Sequence, residues 1–170
     1  MNSDMNTEPI KKPYRGGMVH FILSNSYTIF LFAVVLGVIL DMIIPINIFN
    51  SRMYQYAGIV LIMIGSILIY WAQSTSYHSK IEMIEGKLGK SVVRNFMEGP
   101  YKYSRNPTHI GLTLLSLGLA FLINSLFSVI FTIIASLITK FVFVKEEEDL
   151  LIEEYGQEYL DYKKKVKTWI

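Results

Sequence analysis

The amino-acid sequence predicts an all-α integral membrane protein. We expect about four transmembrane helices, the last two forming a tight hairpin, followed by a cytoplasmic amphipathic helical tail. Hydrophobic residues make up 52% of the 170 residues, a high share for a soluble domain of this length. They are concentrated in blocks that approach the roughly 20 helical residues needed to cross a bilayer core. The basic residues lie between and beyond these blocks, as is typical of membrane topology.

The apolar blocks predict the helices in order. They occupy residues 27–40, which can extend back to residue 19, and then 56–72, 110–123 and 126–144. The third block is short, and only Asn124 and Ser125 separate it from the fourth. A soluble helical bundle is the alternative, but a domain of this size could not bury four such helices.

The ends of the chain are polar. We expect residues 1–16 to form a disordered tail and residues 17–170 to form a single membrane domain. The first apolar block begins far from Met1 and has no small-x-small site after it. We therefore predict an uncleaved first helix rather than a signal peptide.

Basic residues indicate the topology. They occur before the first block, between the second and third blocks, and at the end of the chain, whereas the loop between the first two blocks holds only Arg52. The positive-inside rule then predicts an integral, multi-pass protein with both termini and the long middle loop in the cytoplasm. Lysines at such positions contact anionic lipid headgroups, so no nucleic-acid partner is expected.

Several kinds of site are excluded or left open. The chain has no cysteine, which excludes disulfides and zinc–thiolate sites. Three widely separated histidines predict no metal site. Asp41 is either a functional acid within the membrane or a carboxylate at a helix end that reaches the headgroups. The sequence does not define an oligomeric state.

The middle loop and the tail carry weaker patterns. We expect residues 74–98 to form the cytoplasmic loop, with a short helix over residues 79–85. Apolar residues recur at helical spacing between Lys145 and Lys167, which predicts an amphipathic helix pair. Gly156 lies within this pattern and predicts a break or kink.

The polar run from Gly99 to Gly111 is the most informative segment. Pro107 favours a helix start, and the free amides of that first turn can receive an anionic or polar ligand group. Tyr101 and Tyr103 can stack on a planar ring, and Arg105 can hold a carboxylate. The hairpin should return Glu146, Glu147 and Glu148 to the same membrane face. The alternative is an interfacial loop with the usual Tyr and Arg anchors.

The two motifs together resemble the isoprenylcysteine carboxyl methyltransferase and phospholipid methyltransferase superfamily. The first motif reads Gly-Pro-Tyr-x-Tyr-x-Arg-Asn-Pro-x-x-x-Gly, and the second reads Glu-Glu followed by Tyr-Gly-x-Glu-Tyr-x-x-Tyr. The resemblance covers about residues 90–167. It implies an integral membrane methyltransferase that binds S-adenosylmethionine at the cytoplasmic interface and takes a lipophilic or lipid-modified substrate from the bilayer.

The resemblance also implies the cofactor-binding residues. It assigns them to a segment before the first motif, to the first motif and to the acidic pair, which together comprise Arg94, Asn95, Phe96, Tyr101, Arg105, Asn106, Pro107, Thr108, His109, Glu147 and Glu148. No catalytic residue is assigned.

The chain departs from the superfamily pattern at three positions. His109 stands where Tyr is usual, Val93 where many members have His, and Phe143 where many have an Arg that suits a substrate carboxylate. Phe143 argues against carboxyl methylation in particular, although Lys140 or Lys145 could substitute. An amine or hydroxyl acceptor would need a general base, for which His109 is the nearby candidate.

Two other functions remain open at this stage. One is an NADPH-dependent membrane reductase of the sterol type, which resembles the same C-terminal region. The other is a non-catalytic membrane protein that retains the fold.

Overall fold

The computed structural model describes residues 16–46, 53–84 and 97–169. The helices are α1 (Gly16–Ile43), α2 (Met53–Ile84), α3 (Pro107–Leu122), α4 (Leu126–Ile138), α5 (Val144–Tyr155) and α6 (Gln157–Lys165). A single 3₁₀ turn (Gly99–Lys102) precedes α3, and a π turn (Thr139–Phe143) joins α4 to α5 without a break. The described residues are otherwise short connections, as the all-helical prediction requires.

Three helices in the described part of the chain are long and apolar enough to cross a membrane. These spans are Asn25–Ile43, Met53–Tyr77 and Leu126–Glu153. The third predicted block forms a helix, but Pro107–Leu122 has only 16 residues and is shorter than a full span. Three spanning segments are therefore supported, and a fourth stays a prediction.

The middle loop differs from its prediction. The helix α2 continues to Ile84, so the short helix expected over residues 79–85 is the polar continuation of α2, and the loop begins later than residue 74. The helix α1 begins at Gly16, which had been placed in the polar tail. The rest of that tail, and the predicted site residues Arg94, Asn95 and Phe96, lie outside the described residues.

Small residues bring α2 and α3 into backbone contact. Gly58 and Gly65 are seven residues apart on α2, as are Gly111 and Gly118 on α3. The helices run antiparallel, so Gly65 faces Gly111 and Gly58 faces Gly118. A Cβ atom added to Gly65 would lie 2.7 Å from the carbonyl oxygen of Gly111, and one added to Gly58 would lie 2.7 Å from that of Gly118. Glycines let membrane helices approach closely enough for van der Waals packing to hold them together.

We expect Gly65→Val to destabilise the protein by about 1–3 kcal/mol, the usual cost of overpacking. The added side chain would meet backbone atoms of Gly111 and Leu115, so the two helices would have to separate. Ser66→Val is the matched control, because Ser66 is exposed on the same turn. Thermal unfolding in detergent measures the difference, and equal melting temperatures for the two variants would contradict a close-packed seam.

The π turn changes which face of the last long helix is buried. Along α4 the buried positions are Ser128, Thr132 and Ala135, and the series continues to Thr139. The next buried positions are Val144 and Glu148, so the step after Thr139 is five residues instead of three or four. The N–H of Val144 correspondingly bonds to the carbonyl of Thr139. This one extra residue directs Glu148 inward.

The tail packs against the domain. Gly156, with φ of 58°, lies between α5 and α6, a conformation that glycine adopts without steric cost. The turn allows Tyr159, Tyr162 and Val166 to form a buried cluster against Met97 and residues of α5. The tail is therefore a packed part of the fold and not a solvated helix lying on the interface.

Candidate functional site

The first motif and the acidic pair meet at one end of the helix bundle. Pro107 occupies the first turn of α3, as the sequence predicted. The hairpin between α3 and α4 turns at Asn124 and Ser125, and the Ser125 side chain caps α4 by accepting a hydrogen bond from the Ser128 N–H at 2.9 Å. The returning arm brings the acids of α5 back beside the residues that precede α3, as the contact between Arg105 and Glu148 shows.

Arg105 and Glu148 form a buried ion pair that joins the two motifs. The Arg105 Nη2 atom lies 2.8 Å from Glu148 Oε1, and the two side chains are only 7% and 9% exposed. Lys163 adds a second cation, with its Nζ atom 2.7 Å from Glu148 Oε2. The carboxylate that Arg105 holds in this structure is therefore one of the protein's own.

The last residues of the chain fasten onto the first motif. The Arg105 guanidinium donates to the Lys163 carbonyl at 3.1 Å and to the Thr168 hydroxyl. The Ser104 hydroxyl donates to the Thr168 carbonyl at 2.8 Å, and the Arg105 N–H bonds to the Lys167 carbonyl at 3.0 Å. The Tyr162 hydroxyl donates to the Tyr101 carbonyl at 2.8 Å. These bonds fix the motif backbone from one side.

Tyr101 links the 3₁₀ turn to α2, α3 and α5. Its hydroxyl lies 2.8 Å from the Ser76 hydroxyl. Burial raises the pKa of Tyr101 above its usual value, and the nearby Glu147 carboxylate raises it further, whereas hydrogen bonds with Ser76 and Thr108 act in the opposite direction. Tyr101, Thr108 and Glu147, which the resemblance assigns to cofactor binding, therefore lie near one another. Tyr103 is exposed.

Several polar side chains at this junction have an atom without a partner among the described residues, including the Arg105 Nε atom. Asn106 is buried at the start of α3, where its side chain does not cap the helix, and its Nδ2 atom has no acceptor among the described residues. The Glu147 Oε2 atom is buried and has no donor. Buried polar atoms normally have partners, and an unpartnered donor on one motif with an unpartnered acceptor on the other suits a ligand that carries both kinds of group.

His109 lies on another side of α3. It is almost fully buried, and its Nε2 atom lies 3.1 Å from the Ser26 hydroxyl of α1. The side chain therefore enters the interior of the bundle, whereas the neighbouring Thr108 interacts with Tyr101. Sequence reasoning grouped the two residues in one motif and had no means of separating their directions.

Several residues of this junction carried no sequence signal. Ser76 follows an apolar block, Thr168 lies near the end of the chain, and Ser26 precedes the first block. Single hydroxyl residues occur in most membrane helices, so only their contacts distinguish them.

Two residues that departed from the superfamily pattern or could compensate for it, Phe143 and Lys140, both lie in the π turn. The Lys140 ammonium stacks on the Trp169 ring, 5.5 Å from its centroid.

Comparisons with known proteins agree with this arrangement. The family model for phospholipid methyltransferases matches residues 53–158, which include α2, the first motif, the hairpin and the acidic residues. No curated protein and no solved structure gives a significant match to the chain.

Proposed function

The chain belongs to the phospholipid methyltransferase family, within the isoprenylcysteine carboxyl methyltransferase-like superfamily of membrane methyltransferases, and on this premise we propose that it transfers a methyl group from S-adenosylmethionine to a lipophilic acceptor at the cytoplasmic membrane interface. The observation that supports the cofactor site best is that Asn106 keeps an unpartnered donor and Glu147 an unpartnered acceptor in the two motifs that the Arg105–Glu148 ion pair joins.

The cofactor has groups that complement these atoms. The Asn106 amide and the amides of Thr108 and His109 at the start of α3 suit the cofactor's carboxylate. Glu147 suits its amino group or its ribose hydroxyls, and Tyr101 can lie beside the adenine ring. Arg105 and Glu148 contribute by holding the first motif against α5, since their charges already satisfy each other.

The protein's task in this reaction is mainly positional. S-adenosylmethionine supplies an activated methyl group when bound, so the protein must align the acceptor and exclude water. The Arg105–Glu148 pair and the tail hold the site rigid. The extensive exposed apolar surface of α1, α2 and α4 suits an acceptor that reaches the site from the bilayer. The distribution of basic residues favours a cytoplasmic location for both termini.

We expect S-adenosylhomocysteine to raise the melting temperature of the purified protein and NADPH to leave it unchanged. A ligand at one hundred times its dissociation constant stabilises a protein by roughly 2.7 kcal/mol. Thermal unfolding in detergent provides the measurement. A shift with NADPH alone would instead favour the sterol-reductase-like function. Binding of S-adenosylhomocysteine with no methyl transfer to any lipid would favour a non-catalytic protein.

A further inference from the structure

Three buried polar side chains from three different segments lie in the interior of the bundle. They are Ser26 of α1, His109 of α3 and Thr139 at the start of the π turn, which are 0%, 1% and 0% exposed. We call this group the polar node. Ser26 and His109 are joined directly through the Ser26 hydroxyl and His109 Nε2.

The packing register places Thr139 at the level of the other two residues. Phe30 of α1 and Ala135 of α4 belong to the same core cluster, and the two helices run antiparallel. Ser26 lies one turn before Phe30 and Thr139 lies one turn after Ala135, so this next pair is also expected to be close. On α3 and α4, the Thr113 and Ser136 hydroxyls are 3.2 Å apart. His109 lies one turn before Thr113 and Thr139 lies one turn after Ser136, which brings His109 to the start of the π turn.

The polar node has unused hydrogen-bonding capacity. The His109 Nδ1 atom and the Thr139 hydroxyl oxygen are buried without a hydrogen-bond partner among the described residues. An unsatisfied polar group is costly in a protein interior and is not compensated by lipid. Thr139 also begins a π turn, an irregularity that often accompanies functional sites in helices. Both observations point to a ligand group at this position.

Among the described residues, the charged or ionisable side chains next in sequence, or one turn away, from the members of the polar node are paired or point elsewhere. Arg105, one turn before His109, is paired with Glu148. Lys140, next to Thr139, is exposed and stacks on Trp169. The Tyr27 hydroxyl, beside Ser26, accepts a hydrogen bond from Gln73 at 2.7 Å. A group that binds here must therefore be uncharged and able to donate a hydrogen bond to a ring nitrogen or accept one from it.

We propose that the polar node binds the nucleophilic N–H or O–H group of the methyl acceptor, and that His109 accepts the proton which this group loses. The inference rests on the proposed function and adds a role for His109 outside the cofactor site. The acceptor lies between His109 and Thr139, next to the turn of α3 that carries Asn106 and Thr108.

The chemical step is balanced without a further reactant. The lone pair of the acceptor nitrogen or oxygen forms the new bond to the methyl carbon, while the carbon–sulfur bond breaks and its electron pair stays on sulfur. The methylated acceptor then loses its proton to His109 Nδ1, and the imidazolium releases that proton to solvent. Ser26 holds the imidazole ring in the required orientation.

The test compares isosteric changes at two buried threonines. Thr139→Val removes the hydroxyl of the polar node, and Thr132→Val removes another fully buried, unpartnered hydroxyl two turns away. His109→Gln keeps hydrogen-bonding capacity but removes the base. We would measure S-adenosylhomocysteine binding, transfer of a labelled methyl group to phosphatidylethanolamine or diacylglycerol in mixed micelles, and the melting-temperature shift that each lipid causes in the presence of S-adenosylhomocysteine.

The inference predicts that His109→Gln lowers kcat about 100-fold or more and leaves S-adenosylhomocysteine affinity unchanged. Thr139→Val should raise KM roughly three- to ten-fold, the effect of losing one neutral hydrogen bond, and should reduce the lipid-dependent melting shift. Thr132→Val should match the wild type.

Three results would overturn the inference. The first is that His109→Gln weakens S-adenosylhomocysteine binding as strongly as it lowers the rate, which would place the His109 side chain in the cofactor site. The second is that Thr139→Val and Thr132→Val behave alike. The third is that the wild type shows no melting-temperature shift with either lipid. Failure of the wild type to bind S-adenosylhomocysteine would instead contradict the proposed function itself.

Discussion

Replacing Arg105 by alanine should lower the free energy of unfolding by about 3–5 kcal/mol, the usual cost of removing one partner of a buried ion pair. The change leaves Glu148 buried, with only the partly exposed Lys163 as a cation. It also removes the donor to the Lys163 carbonyl, so the tail loses its main attachment to the first motif. Denaturation in detergent micelles, followed by circular dichroism, measures the loss.

Two further variants make this prediction specific. Lys102→Ala removes an exposed cation from the same segment and should change stability by less than about 0.5 kcal/mol. The double variant Arg105→Met with Glu148→Leu removes both charges, and it should be much more stable than Arg105→Ala because no unpaired charge is left behind. If Arg105→Ala were as stable as Lys102→Ala, the ion pair would not hold the two motifs together.

Glu147→Gln should weaken S-adenosylhomocysteine binding about ten-fold or more while the protein stays folded. The carboxylate has a buried oxygen without a partner, and a charge-assisted hydrogen bond from a ligand to that oxygen is worth roughly 1.5–3 kcal/mol. The amide keeps the size of the side chain and removes its charge. Isothermal titration calorimetry on detergent-purified protein would give the affinity.

Neighbouring acids provide the controls for Glu147. Glu146 precedes it on the exposed face of α5, and Glu153 is exposed further along the same helix. Glu146→Gln and Glu153→Gln should bind S-adenosylhomocysteine as the wild type does. Equal affinity in the wild type and all three variants would mean that Glu147 does not contact the cofactor, and it would remove the support for a cofactor site across the hairpin.

The sequence predicted the elements that depend on local chemistry. The apolar blocks gave helices because hydrophobic content and length are properties of a continuous segment. Pro107 began α3 because its fixed φ and missing N–H suit a first helical turn. Gly156 separates two helices because it adopts a positive φ at no steric cost. The family was recognisable because the motif residues are close together in the chain.

The sequence could not predict which partners these residues would choose. Arg105 was expected to hold a carboxylate, but whether that carboxylate belongs to a ligand or to Glu148 depends on the distance between two segments 43 residues apart. The extension of α2 to Ile84 was missed because the polar residues after the apolar block resembled a loop. Nothing in the local pattern distinguished His109, which faces Ser26, from Thr108, which faces Tyr101.

The sequence by itself determined that this is a helical membrane protein of the phospholipid methyltransferase type, because apolar block length and motif spacing are encoded along the chain. Only the tertiary structure decided which faces the helices bury. The glycines of α2 and α3 set their approach, and the π turn after Thr139 shifts the buried face by one residue so that Glu148 reaches Arg105. One added residue rotates everything after it by about 100° around a helix of 3.6 residues per turn, and neighbouring packing selects that rotation.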